Sequence, residues 1–386
     1  GFALGSSAQE ARERPEPFRA RAAAFWAWLG EHADEHRDAL LSGDGARTAK
    51  VGEELGKRLD ALVPGLRFGV ERGSVEGSVR IELVSGDART RQLLGRELAA
   101  AMPAIAGWEC APWRPPWDAA RALGQLGDLP LWLADFRAYC EWDGEKPELS
   151  LAIWHDALPA LRDGDRTMLA THFVESAMGA AMSKCTPHVV TLLETAPDPE
   201  AEGVIAGDEL YETLAQFLHE ENFDATTPPE LRADYFGPPS GEFEAGTRLG
   251  DLLSGASRYP DLIADYNLGL GTSTVDELAA LGAGAAFVGI RHTIEHPPLD
   301  TEAGLALIAF REQLVDDLDA KLTAAHAGTV VGWGDGFGRE WLDVLFFDEA
   351  AALPILRAAL AAEPRITSAE LFAFDRARAE PLATLK

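Results

Sequence analysis

The clearest alternation of hydrophobic and polar positions lies near the C-terminus, in residues 305–374. Apolar side chains recur there every three or four positions from Leu307 to Leu322, which predicts an amphipathic helix. Two apolar strands around a glycine-rich connection follow, then a helix that Asp348 can cap and a last strand. The predicted strands cover residues 329–333, 341–347 and 370–374. The order of this unit is α-β-β-α-β, and the apolar run 341–347 favours burial on both faces.

The same order of elements recurs nearer the N-terminus. Helices are predicted at 18–41, 46–62, 87–102 and 166–183, and strands at 66–70, 78–84, 105–111, 131–142, 149–154 and 188–193. Two strands and one helix bury only one face of a sheet well, so such units pack together or share a sheet. We therefore predict an α+β protein of several β-β-α-β units, with antiparallel sheets covered by helices.

The segments between these units complete the predicted outline. Short helices are predicted at 118–126, 208–220, 249–254, 259–266 and 274–281, and a strand at 285–290. The proline-rich residues 225–246 are the clearest boundary in the chain and predict a linker. The predicted domains are residues 8–128, 129–224 and 247–386.

The charge of the chain restricts its partners. The 386 residues carry 63 acidic and 34 basic side chains, which gives a formal net charge of −29. Nucleic acids and anionic membranes bind through positive charge, so neither is expected as a partner. The charge permits a basic protein partner, because electrostatic steering would accelerate their encounter. It is also typical of an acidic surface that only keeps a protein in solution.

The number and spacing of the cysteines indicate in which cellular compartment the protein is expected. Cys110, Cys140 and Cys185 are far apart, odd in number and in no CxxC pair. A disulfide framework is therefore not expected, and a cytoplasmic location is the default. No cofactor motif is present.

Two segments fit the H-x-x-E-H pattern of some zinc hydrolases. The first contains His32, Glu35 and His36, and the second contains His292, Glu295 and His296. Histidines four residues apart on a helix share a face, so both can bind one zinc ion while the glutamate acts as a base. The first segment lies in a predicted helix among charged residues, which favours solvated histidines. The second precedes two prolines, which disfavour a helix. A metal site is not favoured at either place.

Two other patterns each have a chemical and a structural interpretation. Cys185 lies three residues before His188, but a nucleophile needs its base within hydrogen-bond reach, and a buried thiol that ends a helix is the favoured interpretation. The glycines of residues 334–338 lie between two strands without a following helix, so we predict a hairpin connection and no phosphate site.

The predicted hairpin around residues 334–338 is the candidate partner surface. Aromatic residues are over-represented at protein interfaces, and several flank this connection. The candidate residues are Trp333, Asp335, Phe337, Arg339 and Trp341.

About half of the chain resembles uncharacterised bacterial α+β proteins of the immunity type, which are encoded beside polymorphic toxins. The resemblance lies in residues 168–194, 250–322 and 328–374. It rests on the run 189–194 (VVTLLE), the turn 258–260 (RYP), the helix segment 309–311 (AFR) and the hairpin 333–341. It implies a cytoplasmic binding protein, and it fixes neither a target nor a functional residue.

Three hypotheses follow from the sequence. The first is a non-enzymatic, acidic, cytoplasmic protein that binds a protein partner, such as an immunity-type inhibitor of a basic toxin. The second is a zinc-dependent hydrolase that uses one H-x-x-E-H segment. The third is a structural protein that associates with itself.

Overall fold

The computed structural model describes residues 15–117, 122–126, 129–240, 243–244, 247–269, 273–293 and 301–386. The chain divides into two compact units. The first unit contains residues 1–80, 85–110 and 232–386, and the second contains residues 81–84 and 111–231. This division does not test whether any of the three predicted domains folds alone, so those boundaries stay predictions.

Helices and strands alternate along the described residues. The helices are α1 (Phe18–Glu31), α2 (Ala33–Leu41), α3 (Gly45–Leu62), α4 (Arg89–Ala100), α5 (Asp163–Cys185), α6 (Leu210–Glu220), α7 (Arg248–Asp251), α8 (Pro260–Leu268), α9 (Ser273–Ala280), α10 (Glu302–Ala324) and α11 (Glu349–Ala362). None of the described helices is long and apolar enough to span a bilayer.

The strands form four sheets within the described residues. They are β1 (Arg67–Arg72), β2 (Val79–Val84), β3 (Trp108–Ala111), β4 (Ala122–Leu126), β5 (Leu129–Trp132), β6 (Arg137–Asp143), β7 (Glu148–Trp154), β8 (His188–Leu192), β9 (Val204–Ala206), β10 (Asp234–Phe236), β11 (Leu252–Ser257), β12 (Gly284–His292), β13 (Gly328–Gly336), β14 (Glu340–Phe346), β15 (Ile366–Ala373) and β16 (Ala383–Thr384). The sheet orders are β1-β2-β3, β4-β5, β8-β7-β6-β9 and β10-β11-β13-β14-β12-β15-β16.

The predicted α+β class is confirmed, and so is the repeated order of elements. β-β-α-β occurs three times, as β1-β2-α4-β3, β6-β7-α5-β8 and β13-β14-α11-β15. The strand pairs are mostly antiparallel, but β7 pairs with β8 in parallel. This exception arises because α5 carries the chain back across the sheet before β8 begins.

The seven-stranded sheet contains a ferredoxin-like arrangement. The elements β12-α10-β13-β14-α11-β15 follow one another in the chain, while the strands lie side by side in the order β13-β14-β12-β15. β12 therefore lies between β14 and β15 and is antiparallel to both. This is the split β-α-β topology, in which both helices are connections between the strands.

The helix-covered face of this sheet contains the main hydrophobic core. Leu318 and Leu322 of α10 and Leu356 and Leu360 of α11 are fully buried in one cluster with apolar residues of β12, β14 and β15. The Asp348 cap is also confirmed, since its side chain accepts a hydrogen bond of 3.1 Å from the backbone N–H of Ala351.

The opposite face of this sheet is also buried. Every residue of β14 is buried, as its apolar run predicted, so the strand contributes to a core on each face. Phe287, Trp341, Phe372 and Phe374 lie on the second face, where their rings contact one another. These aromatic side chains are packed against Tyr266 of α8.

The second unit has its own core between α5, α6 and a four-stranded sheet. Phe136 and Phe173 stack at 3.9 Å in the middle of this cluster. Gly179 interrupts α5 with φ 72° and ψ 159°, and a Cβ at this position would lie 2.8 Å from the backbone nitrogen of Pro116. Only glycine fits this close approach without strain.

Four local predictions are wrong. Residues 122–126 form β4, where a helix over 118–126 was expected; residues 118–121 lie outside the described residues. Residues 252–257 form β11, because their backbone pairs with β13, a partner far away in the chain. The helix expected at 18–41 is two helices separated at His32. The strand expected at 131–142 is interrupted by a short 3-10 helix at Leu133–Asp135, and β6 begins at Arg137. The expected linker contains β10, which pairs with β11, and its role as a domain boundary stays a prediction.

Candidate functional site

The turn between β13 and β14 presents one large apolar side chain to solvent. Phe337 is 73% exposed. Asp251 holds the turn, because its backbone carbonyl accepts from the Phe337 N–H at 2.9 Å and its carboxylate accepts from the Gly338 N–H at 2.7 Å. The second carboxylate oxygen accepts from the Trp341 indole N–H at 3.1 Å. The backbone carbonyl and the carboxylate of Asp251, the last residue of α7, therefore fix the position of Phe337.

Trp333 and Asp335 of the same hairpin are bound to α10. The guanidinium group of Arg311 lies 3.7 Å from the centre of a Trp333 ring and forms an ion pair with Asp335. The Ser254 hydroxyl donates a second hydrogen bond to Asp335 at 3.2 Å. Both residues are thereby engaged within the protein.

Asp335 also faces a second acid across the sheet. It lies opposite Glu340 in the pairing of β13 with β14. Burial raises the pKa of Asp335 above its ordinary value, the negative charge of Glu340 raises it further, and Arg311 acts in the opposite direction. Two adjacent carboxyl groups of this kind favour a shared proton.

His292 completes this polar cluster. Its Nε2 lies 3.7 Å from Oε1 of Glu340, and the side chains of His292 and Glu340 are 2% and 3% exposed. The imidazole and the Glu340 carboxyl are therefore buried together, next to Asp335, whose side chain is 19% exposed.

Arg339 and Trp341 lie away from the surface of the turn. The Arg339 guanidinium forms an ion pair of 2.9 Å with Glu370 and lies 5.5 Å from the centre of the Phe372 ring. Trp341 is 1% exposed. Of the five predicted partner-binding residues, Phe337 is the one whose side chain is freely exposed. Partner binding by this hairpin stays a prediction.

The first H-x-x-E-H segment places its two histidine rings side by side, with centres 5.5 Å apart. His32 lies between α1 and α2, and its Nδ1 is 2.8 Å from the Trp28 carbonyl oxygen. His36 is only 4% exposed and packs against the Trp28 ring at 5.4 Å, so the expectation of solvated histidines is wrong for His36. Glu35 is exposed. Burial lowers the pKa of His36, while Glu54, 3.9 Å away, acts in the opposite direction.

The second H-x-x-E-H segment begins at the end of a strand. His292 is the last residue of β12, whereas Glu295 and His296 lie outside the described residues. Within the described part of the chain, no group of three or more His, Cys, Asp or Glu side chains could hold a metal ion.

The Cys185 thiol and the His188 ring each contact a backbone carbonyl. The Cys185 thiol donates to the Thr227 carbonyl at 3.3 Å, and Nδ1 of His188 lies 2.8 Å from the Thr186 carbonyl. Burial raises the pKa of Cys110 and of Cys140 to about 12, so both remain protonated thiols near neutral pH. A thiol of this kind is a poor nucleophile.

A concentrated acidic surface lies in the second unit, and the net charge of the whole chain does not indicate where it is. Residues 111–231 carry 22 acidic and 7 basic side chains. Within them, residues 185–231 contain eleven acidic side chains and neither lysine nor arginine; we call this the acidic segment. Ten of the eleven are exposed in the structure. A count of charge along the sequence would have found it.

The acidic segment has a defined structure. It contains β8, β9 and α6, and α6 buries Leu210, Leu214 and Leu218 in the core of the second unit. The opposite side of α6 carries Glu212 and Glu220, which line a shallow surface groove with Gln216. The segment therefore presents carboxylates from a helix that is held in place by its apolar face.

One carboxylate of the segment is fixed by its own turn. Partial burial raises the pKa of Asp224, but hydrogen bonds from Thr227 and Thr226 outweigh burial and lower the pKa to about 2. Asp224 therefore keeps its negative charge over the physiological pH range.

Comparison of this chain with family models, with curated proteins and with solved structures gives no match. The resemblance to immunity-type proteins therefore stays a prediction.

Proposed function

We propose that this protein is a non-enzymatic binding protein whose partner is a basic protein, and that the acidic segment is the surface that binds it. One observation carries the proposal. Eleven acidic side chains and no basic one lie in residues 185–231, and ten of the eleven are exposed. A basic toxin of the kind implied by the immunity-type resemblance is the partner class that we propose.

The local charge supports this choice more strongly than the total charge. A potential of one sign over a continuous surface raises the rate of encounter with a partner of opposite charge. Without lysine or arginine inside the segment, none of its carboxylates has a basic neighbour from the same segment. The segment therefore contributes ten exposed carboxylates and no positive charge of lysine or arginine to its own surface.

The scaffold also supports a preformed surface. Glu212 and Glu220 lie on one helix whose apolar side is buried, and Gln216 donates a hydrogen bond of 3.0 Å to Glu220. Carboxylates on a rigid helix lose less conformational freedom on binding than carboxylates on a loop. Arginine is the complementary residue because it can bind a carboxylate through two hydrogen bonds.

The test is affinity capture from a lysate of the native host with three forms of the full chain. These are the wild type, the Glu212→Lys/Glu220→Lys double variant, and the control Glu145→Lys, which changes an exposed acid in the β6–β7 turn outside the acidic segment. We expect the wild type and the control to retain the same basic protein and the double variant to lose it. Equal capture by all three forms, or capture of an acidic protein, would contradict the proposal.

A further inference from the structure

A cavity of about 220 Å³ lies on the face of the seven-stranded sheet that α10 and α11 do not cover. Its floor is formed by Phe287 of β12, Trp341 of β14 and Phe372 of β15. Tyr266 of α8 and Leu249 of α7 form part of its wall. Three adjacent strands and two helices of one compact unit therefore build the site.

The floor is suited to a flat ring. The Phe287 and Phe372 rings are nearly parallel, with an interplanar angle of 13° and centres 5.4 Å apart. Trp341 meets both rings nearly edge-on, at 5.6 Å from Phe287 and 5.9 Å from Phe372. Aromatic rings attract a further ring in such offset and edge-to-face arrangements.

A buried ion pair borders the cavity. Arg248, which lines it, donates two hydrogen bonds to Asp343, and the side chains of the pair are 1% and 0% exposed. The pair holds the Arg248 guanidinium over the Phe287 ring, so this arginine forms part of the cavity wall.

Two further arginines lie at the rim. Arg376 and Arg378 are exposed and follow β15 directly. The Arg376 guanidinium donates to the Asn267 carbonyl at 3.3 Å, which places it beside α8. Glu244 and Asp375 also line the rim, but the Asp375 carboxylate accepts a hydrogen bond from the Ala377 N–H of its own turn.

The rings of the floor already face positive charge. The Arg248 guanidinium lies 4.9 Å from the centre of the Phe287 ring, and the Arg339 guanidinium lies 5.5 Å from the centre of the Phe372 ring. Aromatic cages otherwise attract cations. Both groups are paired with carboxylates, Arg248 with Asp343 and Arg339 with Glu370. The cation-binding faces of these two rings are therefore already occupied, and the charge of a ligand is selected at the rim.

We propose that this cavity binds a small aryl carboxylate, a molecule with one aromatic ring and one carboxylate group. The ring lies against Phe287, Trp341 and Phe372, and the carboxylate is bound at the rim by Arg376. An apolar cavity of about 150 Å³ suffices for benzene in a well-studied case, so the volume here accommodates a ring with a short acidic chain. This cavity binds a small molecule, whereas the acidic segment is proposed to bind a protein, and neither proposal depends on the other.

The test is isothermal titration of the full chain with three probes. They are 3-phenylpropionate, phenethylamine, which has the same ring and a positive charge, and hexanoate, which has the carboxylate without the ring. We expect saturable binding of 3-phenylpropionate with a Kd of about 1 mM or tighter. We expect binding of the other two to be at least about tenfold weaker. Equal or tighter binding of phenethylamine or hexanoate, or no binding of 3-phenylpropionate, would overturn the proposal.

A pair of variants locates the site. Arg376→Gln removes the rim charge from an exposed position, and Arg357→Gln removes the same charge from an exposed position on α11, which covers the other face of the sheet. We expect Arg376→Gln to weaken 3-phenylpropionate binding about tenfold, the size of one charge-assisted hydrogen bond, and Arg357→Gln to leave it unchanged. An unchanged Kd for Arg376→Gln, or equal losses for both variants, would place the ligand elsewhere.

Discussion

Replacing Asp343 with asparagine should destabilise the first unit strongly, because it leaves the Arg248 guanidinium buried without a counter-charge. The two side chains are 1% and 0% exposed, and one of their N–O distances is 2.9 Å. At an effective dielectric constant of about 20, two unit charges at this distance attract by roughly 5 to 6 kcal/mol. Measured losses for one partner of a buried pair are about 3–5 kcal/mol, and we expect a loss in this range.

The assay is urea unfolding followed by tryptophan fluorescence. A loss of about 3 kcal/mol should lower the urea midpoint by roughly 1 M or more, given the usual dependence of stability on denaturant. The control is Asp34→Asn, which breaks the 2.9 Å surface ion pair with Arg37, and surface pairs contribute about 0–1 kcal/mol. The Arg248→Met/Asp343→Leu double variant should recover most of the loss, since no unpaired charge remains. A loss below about 1 kcal/mol for Asp343→Asn, equal to that of the control, would refute this reasoning.

Three further predictions concern pH and backbone conformation. Burial lowers the pKa of His36 from 6.5, so the protein takes up a proton on unfolding, and the urea midpoint should fall as pH drops below about 6.5. His36→Leu should flatten this dependence of the midpoint on pH. An unchanged dependence in the variant would argue against the lowered pKa of His36. Burial raises the pKa of Asp335 from 3.8. The protonated carboxyl therefore contributes fully to the free energy of unfolding below pH 3.8, and this contribution is lost as pH rises through the raised pKa. The urea midpoint of Asp335→Asn should therefore rise relative to that of the wild type as pH rises through this range. A difference between the two midpoints that does not change with pH would count against the raised pKa. Gly179→Ala should cost about 1–3 kcal/mol in thermal or urea unfolding, because it combines a positive φ with a backbone clash. Gly164→Ala in the same helix meets no atom within 4 Å and should be nearly neutral, so equal losses for the two variants would contradict this explanation.

Local patterns in the sequence predicted the elements whose stability is local. The stripe from Leu307 to Leu322 and the apolar run of β14 each match one element of the structure. The α+β class followed from the order of such elements. It could be predicted because each element shows its own period of hydrophobic residues.

Other elements depend on partners that are distant in the chain. β11 has no regular alternation, and it is a strand because its backbone pairs with β13, about 80 residues later. Arg248 and Asp343 are separated by 95 positions, and no local pattern connects them. The aromatic cavity likewise needs residues from β12, β14 and β15. A single sequence does not reveal which distant strands are neighbours, so this site could not be predicted from it.

The acidic segment differs from these cases, because its charge is visible in the sequence. What the sequence did not reveal is that ten of its eleven acids are exposed, on α6 and on the loops before and after it. The net charge of −29 is a sum over the whole chain, so it does not show that the acids are concentrated in this segment.

The most direct test of the proposed function is the salt dependence of the affinity for the captured partner. The Kd of the purified complex would be measured by titration calorimetry at about 50 mM and about 300 mM salt, where the screening length differs more than twofold. If the acidic segment binds a basic partner, the Kd of the wild type should weaken by about tenfold or more, and that of Glu212→Lys/Glu220→Lys should be weak at both concentrations. A Kd that is the same at both salt concentrations, with the double variant binding as well as the wild type, would contradict the account.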